Sequence, residues 1–216
     1  MTVASDHIES IRSIRKFLEE REKAREELLK LTREMRINAT RAVMAVHAEK
    51  LSDAKRLVEE AIQVLEKVVE FRKYPEIYYP ITHDSMQELV EAYALLKVVN
   101  GENFWEIELE VEPASVLTGL ADLIGELRRL SLDSMRKGDV ERAEKYLDVM
   151  EEIYAELITF SFPDKLTPGL RFKLDSARQS IERTKSDLLS AKLLEGLKNL
   201  GSLGSLKNLK NLKSRR

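Results

Sequence analysis

Apolar residues recur three or four positions apart along most of this chain, and that spacing divides it into helices. From about Ser5 to His47, Ile8, Ile11, Ile14, Leu18, Leu28, Leu31, Met35, Ala42 and Ala45 keep the rhythm without a proline or glycine between them. This predicts one very long first helix, or two nearly continuous ones, capped by Ser5 or Asp6. A second helix is expected from Ser52 or Asp53 to about Arg72. The stretch KYPEIYYPITHD, with two prolines and three tyrosines, reads as an ordered connection, with Thr82 or Asp84 capping a third helix that stops at Asn100-Gly101. Pro113 suits the first turn of a fourth helix ending at Gly138. Asp139 opens a fifth that runs to about Phe160. After the turn-rich SFPDKLTPG, a sixth extends from about Pro168 to Leu194.

Long helices joined by short links, with few strand signals and no internal repeat, specify an all-α bundle of about six or seven helices. The first helix is too long for one small bundle to cover. Part of its apolar stripe is therefore expected to meet another subunit.

Composition narrows the chemistry. The chain has 216 residues, 43% hydrophobic and 34% charged, enough to bury a core beneath charged outer faces. It has no cysteine, which excludes disulfides, thiolate metal sites and cysteine nucleophiles and suits a reducing cytoplasm. No apolar run approaches the roughly 18 residues of a membrane span, and the N-terminus lacks the apolar segment of a signal peptide, so a soluble cytoplasmic protein is expected. Charge is unevenly spread. Residues 196–216 hold four Lys and two Arg and no acid, so this tail carries +6 and residues 1–195 carry −8 against the net −2. The tail repeats Leu-Lys-Asn and Gly-Ser-Leu units; its glycines argue against one long stable helix, and a disordered cationic segment is expected, with a nucleic-acid arm or partner segment as the sharper alternative.

Two pairs of acids stand out. In LTGLADLIGELRRLSLDSMRKGD, residues 117–139, the leucines and Ile124 form the core stripe, while Asp122 and Glu126 stack four apart on a face shared with Thr118, Gly119, Gly125 and Arg129. Like charges repel at that spacing, and each glycine inside a helix costs about 0.5–1 kcal/mol relative to alanine, so the face gives up stability without an evident structural return. In DSMQELVEAYALL, Glu88 and Glu91 lie three apart on one face of the third helix. Either pair alone is weak, because a chain with 38 acids places many on solvated surface. If the two helices were antiparallel neighbours, four carboxylates could converge. Without cations they would repel, whereas a hard divalent ion resolves the conflict, generates a hydroxide nucleophile and stabilises a phosphodiester transition state. A di-iron centre needs Glu-x-x-His, which His7, His47 and His83 do not supply.

The run VLTGLADLIGELRRLSLDSMRKGD resembles the most recognisable stretch of the translin and translin-associated factor X family. Two further segments resemble it in the same order: LTREMRINATRAVMAVH, residues 31–47, and ITHDSMQELVEAYALL. The similarity covers about residues 25–190. It implies a translin-like all-α domain over residues 1–195, assembling into a hollow, octamer-like shell, followed by a basic low-complexity tail over 196–216 that has no counterpart in the family. It also places the acidic cluster of the catalytic, translin-associated factor X branch on Glu88, Glu91, Asp122 and Glu126, as metal ligands and catalytic residues.

The implied function is a homo-oligomeric endoribonuclease, dependent on Mg²⁺ or Mn²⁺ and cutting single-stranded or unpaired RNA, with ssDNA or duplex RNA as other partners. Arg33, Arg36 and Arg41, the earlier patch Arg12, Arg15 and Lys16, and Arg129 beside Glu126 are the expected phosphate contacts. Arg128 is a neighbour of the same acid, and His83 is either a proton shuttle or a capping and packing residue. The alternatives are a translin-like RNA- or ssDNA-binding oligomer without catalysis, and a helical scaffold whose acids are merely solvated.

Overall fold

A computed structural model describes residues 3–213, with side chains described for residues 11–197. Expectations that rest on the side chains of Ile8 and His7 or of the tail lie outside the described residues. Among the described residues six α-helices follow one another: α1 Val3–His47, α2 Leu51–Val69, α3 Pro75–Asn100, α4 Pro113–Lys137, α5 Val140–Leu157 and α6 Leu170–Lys213, with a 3-10 turn, Glu70–Lys73, after α2. No strand occurs among the described residues. The fold is all-α.

The chain divides into two units. The first is Met1–Leu120 with Lys165–Pro168, and the second Ala121–Asp164 with Gly169–Arg216. In the first unit, α1 packs on both α2 and α3. Leu28, Met35, Ala39 and Ala42 of α1 face Ala54, Ala61, Leu65 and Val68 of α2 and Met86, Leu89 and Val90 of α3, all buried. Small residues on α1 and α2 let those helices lie close, so the seam is dense despite few aromatics. The beginning of α1 is open: Ile11, Ile14, Phe17 and Leu18 are each more than half exposed.

In the second unit, Leu123, Ile124 and Leu127 of α4, Met150 and Ile153 of α5, and Ile181 and Leu188 of α6 make the core. Two polar clamps lock its register. Ser131 Oγ donates to the Ala143 carbonyl at 2.9 Å, and Arg128 reaches from α4 to α6, donating to Thr184 Oγ1 at 2.8 Å and pairing with Asp187 at 3.0 Å. Arg128 is thus a structural tie between helices.

Helix ends follow local chemistry where the residues are specific. Gly101 and Gly138 take left-handed φ of 73° and 81°, and Asp139 caps α5 by accepting from the Arg142 backbone N–H at 3.0 Å. Two expectations fail. The Pro- and Tyr-rich segment is not a connection: α3 begins at Pro75 and runs through Pro80. Pro75 opens the helix at a position whose N–H needs no partner, and Tyr78, fully buried, anchors the first turns. Thr82 does not cap the helix, since its hydroxyl donates to the Tyr78 carbonyl at 2.9 Å, and Ser85 does the same to Thr82 at 2.9 Å. Nor do the tail glycines end α6, which continues to Lys213.

Candidate functional site

α3 carries the first acid pair. Glu88 and Glu91 are both half-buried on α3, and Glu88 Oε2 accepts from Thr40 Oγ1 of α1 at 3.2 Å. The start of α4 comes down on the same turn of α3. At Gly119 a Cβ would meet the Gln87 carbonyl oxygen at 2.6 Å and Val90 Cβ at 2.8 Å. This is a close backbone approach that only glycine permits. Gly119 therefore has a structural return after all: it is a packing contact, and it fixes the turn carrying Glu88.

His83 sits one turn before Met86 on α3. Its ring Nδ1 lies 3.1 Å from Ser115 Oγ, and that hydroxyl also donates to the His83 carbonyl at 3.2 Å. Ser115 is fully buried, so the pair ties the start of α4 to α3. His83 is a packing and positioning residue here.

The second acid pair lies further along α4, in the second unit. Asp122 is half-buried and grips the Lys173 ammonium, which donates to both of its oxygens at 2.7 Å. Glu126 is half-buried and pairs with Arg129 at 3.8 Å, three residues on. Gly125, between them, differs from Gly119. A Cβ there meets nothing within 4 Å, and the residue is exposed. It opens onto a pocket of about 280 Å³ between α4 and the first turns of α6, whose walls include Asp122, Phe172, Lys173, Ser176 and Ser180.

The donors of both pairs are hard carboxylate oxygens of the kind that suit Mg²⁺ or Mn²⁺, and Asp122 already holds a cationic group with both of its oxygens. Each pair sits in a different unit. Among the described residues, no three His, Asp or Glu side chains gather into a group that could hold a metal ion.

Basic residues form a second feature in the first unit. Arg33 and Arg36, with Lys30, line a groove of about 490 Å³ between α1 and α3, closed on the α3 side by Ile81, Asp84 and Ser85. Arg41 does not line it. It lies exposed further along α1, and Arg12, Arg15 and Lys16 lie on the exposed first part of the same helix. Arg129 is exposed beside Glu126.

Sequence reasoning missed Lys30, Lys173 and Phe172. Lys30 had a signal, since Lys30, Arg33 and Arg36 repeat every three residues on one helix. Lys173 had none, because 51 residues separate it from Asp122. No helix among the described residues is long and apolar enough to cross a membrane.

Comparison with known proteins fits this architecture. The chain is 52% identical to AfC3PO, over 86% of this chain and 97% of that one, in a structure solved as a complex with duplex RNA, with a TM-score of 0.84. A structure of apo-NeC3PO shares the fold with a TM-score of 0.75 at 23% identity, covering 84% of this chain and 96% of that one. An uncharacterized protein of Methanocaldococcus jannaschii, MJ0175, is 29% identical over 192 residues, 85% of each chain. The model of the Translin family matches residues 55–189, more than half of the chain, and the protein belongs to that family.

Proposed function

We propose that this protein binds RNA and cuts it as a Mg²⁺- or Mn²⁺-dependent endoribonuclease, with Glu88, Glu91, Asp122 and Glu126 as the metal-holding and catalytic acids. The observation that carries the RNA reading is the 52% identity to AfC3PO, a protein solved with duplex RNA bound. The catalytic reading is supported by the acids themselves: two oxygen donors on one face of α3 and two on one face of α4, in a chain with no competing thiolate or Glu-x-x-His chemistry. The intended substrate is RNA with unpaired segments.

A divalent ion, when bound, supplies Lewis-acid activation of water and neutralises charge at phosphorus. The chain's own residues do the rest. Lys30, Arg33 and Arg36 offer phosphate contacts from one groove, so RNA is held by its backbone and without sequence preference. The Lys173 ammonium balances the Asp122 carboxylate and must leave it before a metal can take both oxygens. Gly125 keeps the approach to Asp122 free of side chain. The exposed apolar start of α1, with Ile11 64% and Leu18 58% exposed, supports burial against further copies and thus a homo-oligomer, for which an octamer is the expected size.

The rival is RNA binding without cleavage. It is favoured by the Lys173–Asp122 pair and by the absence of a three-acid group among the described residues. Cleavage of a labelled RNA with Mg²⁺, Mn²⁺ or EDTA separates the two, using wild type, Glu91→Ala and Glu126→Ala of matched oligomeric size. Cutting that needs metal and drops by at least about a hundredfold in both variants supports the enzyme. Tight binding with no cutting leaves the binding reading in its place, and cutting that survives both substitutions removes Glu91 and Glu126 from the reaction.

A further inference from the structure

Three features meet at the pocket in the second unit, and two of them, Gly125 and Phe172, have no role in its packing. Gly125 sits in the middle of α4, where it costs helix stability, yet a Cβ there would touch nothing. Phe172, on the rim, is 78% exposed, more than any other large apolar residue among those described. Lys173 lies in the first turn of α6, the end of a helix dipole that disfavours a cation, and donates to both oxygens of Asp122 at 2.7 Å across the pocket. The helical glycine and the exposed ring each cost something in the chain by itself. Together they furnish a small cavity with an aromatic face, an ammonium group and two hydroxyls, those of Ser176 and Ser180, one helical turn apart.

We propose that this pocket seats one unpaired nucleotide of the bound RNA. The base stacks on Phe172, the space left by Gly125 admits the ring, the two serines address sugar and phosphate oxygens, and Lys173 reaches phosphate by exchanging it for Asp122. Its volume of about 280 Å³ lies just below the roughly 300–1,000 Å³ of small-ligand sites, a size for one nucleotide and not for a duplex. Stacking on an aromatic face accepts every base, so the seat selects for an unpaired nucleotide and not for sequence. A contact with a second copy of the chain explains an exposed phenylalanine but not the hydroxyls and the open glycine beside it. The proposal rests on the RNA reading above and names where a single-stranded segment is gripped.

The test is equilibrium binding by the full chain in EDTA, so that cleavage plays no part. The probes are a short labelled single-stranded RNA and the same strand with abasic positions, and the proteins are wild type, Phe172→Ala and Phe172→Trp, with light scattering to follow assembly size. Wild type is expected to prefer the base-bearing strand. Phe172→Ala should lose about tenfold on that strand and nothing on the abasic one, and Phe172→Trp should stay within about twofold of wild type. The proposal is overturned if Phe172→Ala binds the base-bearing strand as wild type does, weakens both strands equally, or shrinks the assembly, which would make the ring a contact between copies. A wild type that binds neither strand sinks the RNA reading itself, and this proposal with it.

Discussion

One substitution made twice on the same helix should have opposite effects. At Gly119 a Cβ would lie 2.6 Å from the Gln87 carbonyl oxygen and 2.8 and 2.9 Å from Val90 Cβ and Cγ1. The first of these neighbours is backbone. By α-helical geometry that carbonyl accepts from the N–H four residues on, at Glu91, so it cannot swing aside without moving the turn between them. Alanine recovers about 1 kcal/mol of helix propensity, while overpacking of this kind costs about 1–3 kcal/mol, and a clash at 2.6 Å belongs at the upper end. The net expectation is a loss of about 1–2 kcal/mol, a fall in Tm of about 2–8 °C for a chain of this size. At Gly125 the Cβ meets nothing, so Gly125→Ala should gain about 0.5–1 kcal/mol and raise Tm by about 1–4 °C. Thermal and urea unfolding of both variants, with matched assembly size, read the difference. A Gly119→Ala protein as stable as wild type would refute the close approach of α4 to α3, and a destabilised Gly125→Ala would refute the open space beside α4.

Other expectations follow from the same geometry. Arg33→Ala and Arg36→Ala should each weaken RNA binding across sequences and lower the salt slope of log K by about one, measured by binding at several ionic strengths; unchanged slopes would remove the α1–α3 groove from the interface. A double-mutant cycle of Lys173→Met with Asp122→Asn should give a coupling of about 0.5–1 kcal/mol by urea unfolding, because the pair is about three-quarters buried but still reached by solvent, and zero coupling would deny the contact. Tyr78 is buried with no hydrogen-bond partner for its hydroxyl among the described residues. Burial raises its pKa above 10, and the nearby Arg72 guanidinium only partly opposes this. The folded state therefore keeps a proton that the unfolded chain sheds, so this contribution to stability is whole below pH 10 and is lost as pH climbs towards the folded pKa. Tyr78→Phe should be neutral or stabilising at neutral pH and should flatten the alkaline fall in Tm; a steeper fall would contradict the burial argument.

The helices were legible because their signals are local. Asn100-Gly101, Pro113, Gly138 and Asp139 each act on a neighbour within four residues, through a left-handed backbone, a missing N–H or a capping carboxylate, and the observed ends agree with them. The segment at Pro75–Pro80 was misjudged because the deciding factor is not local. A fully buried Tyr78 outweighs the breaker reading of two prolines, and nothing in the dipeptides reports that burial. The two glycines of α4 show the same boundary more sharply. In sequence they are one anomaly on one acidic face. In the fold, one is a packing contact against Gln87 and the other faces a pocket, and only the position of α3 separates them.

Charge was harder still to read. Arg33 and Arg36 could be paired by their spacing on α1, and Lys30 belonged to the same three-residue series. Arg128 looked like a companion of Glu126, yet it is spent on Thr184 and Asp187 across a helix interface. Asp122 looked like an uncompensated acid. Its counter-ion comes from the first turn of α6, where a lysine is disfavoured by the helix it belongs to and favoured by the carboxylate opposite. An ammonium held by one acid against its own helix dipole is a poor structural staple, because a methionine there would remove both the dipole penalty and the need for the acid. Such a group is better suited to a ligand that competes for it. Both a divalent cation at Asp122 and a phosphate at Lys173 are competitors of that kind, and each would free the other partner for its own role.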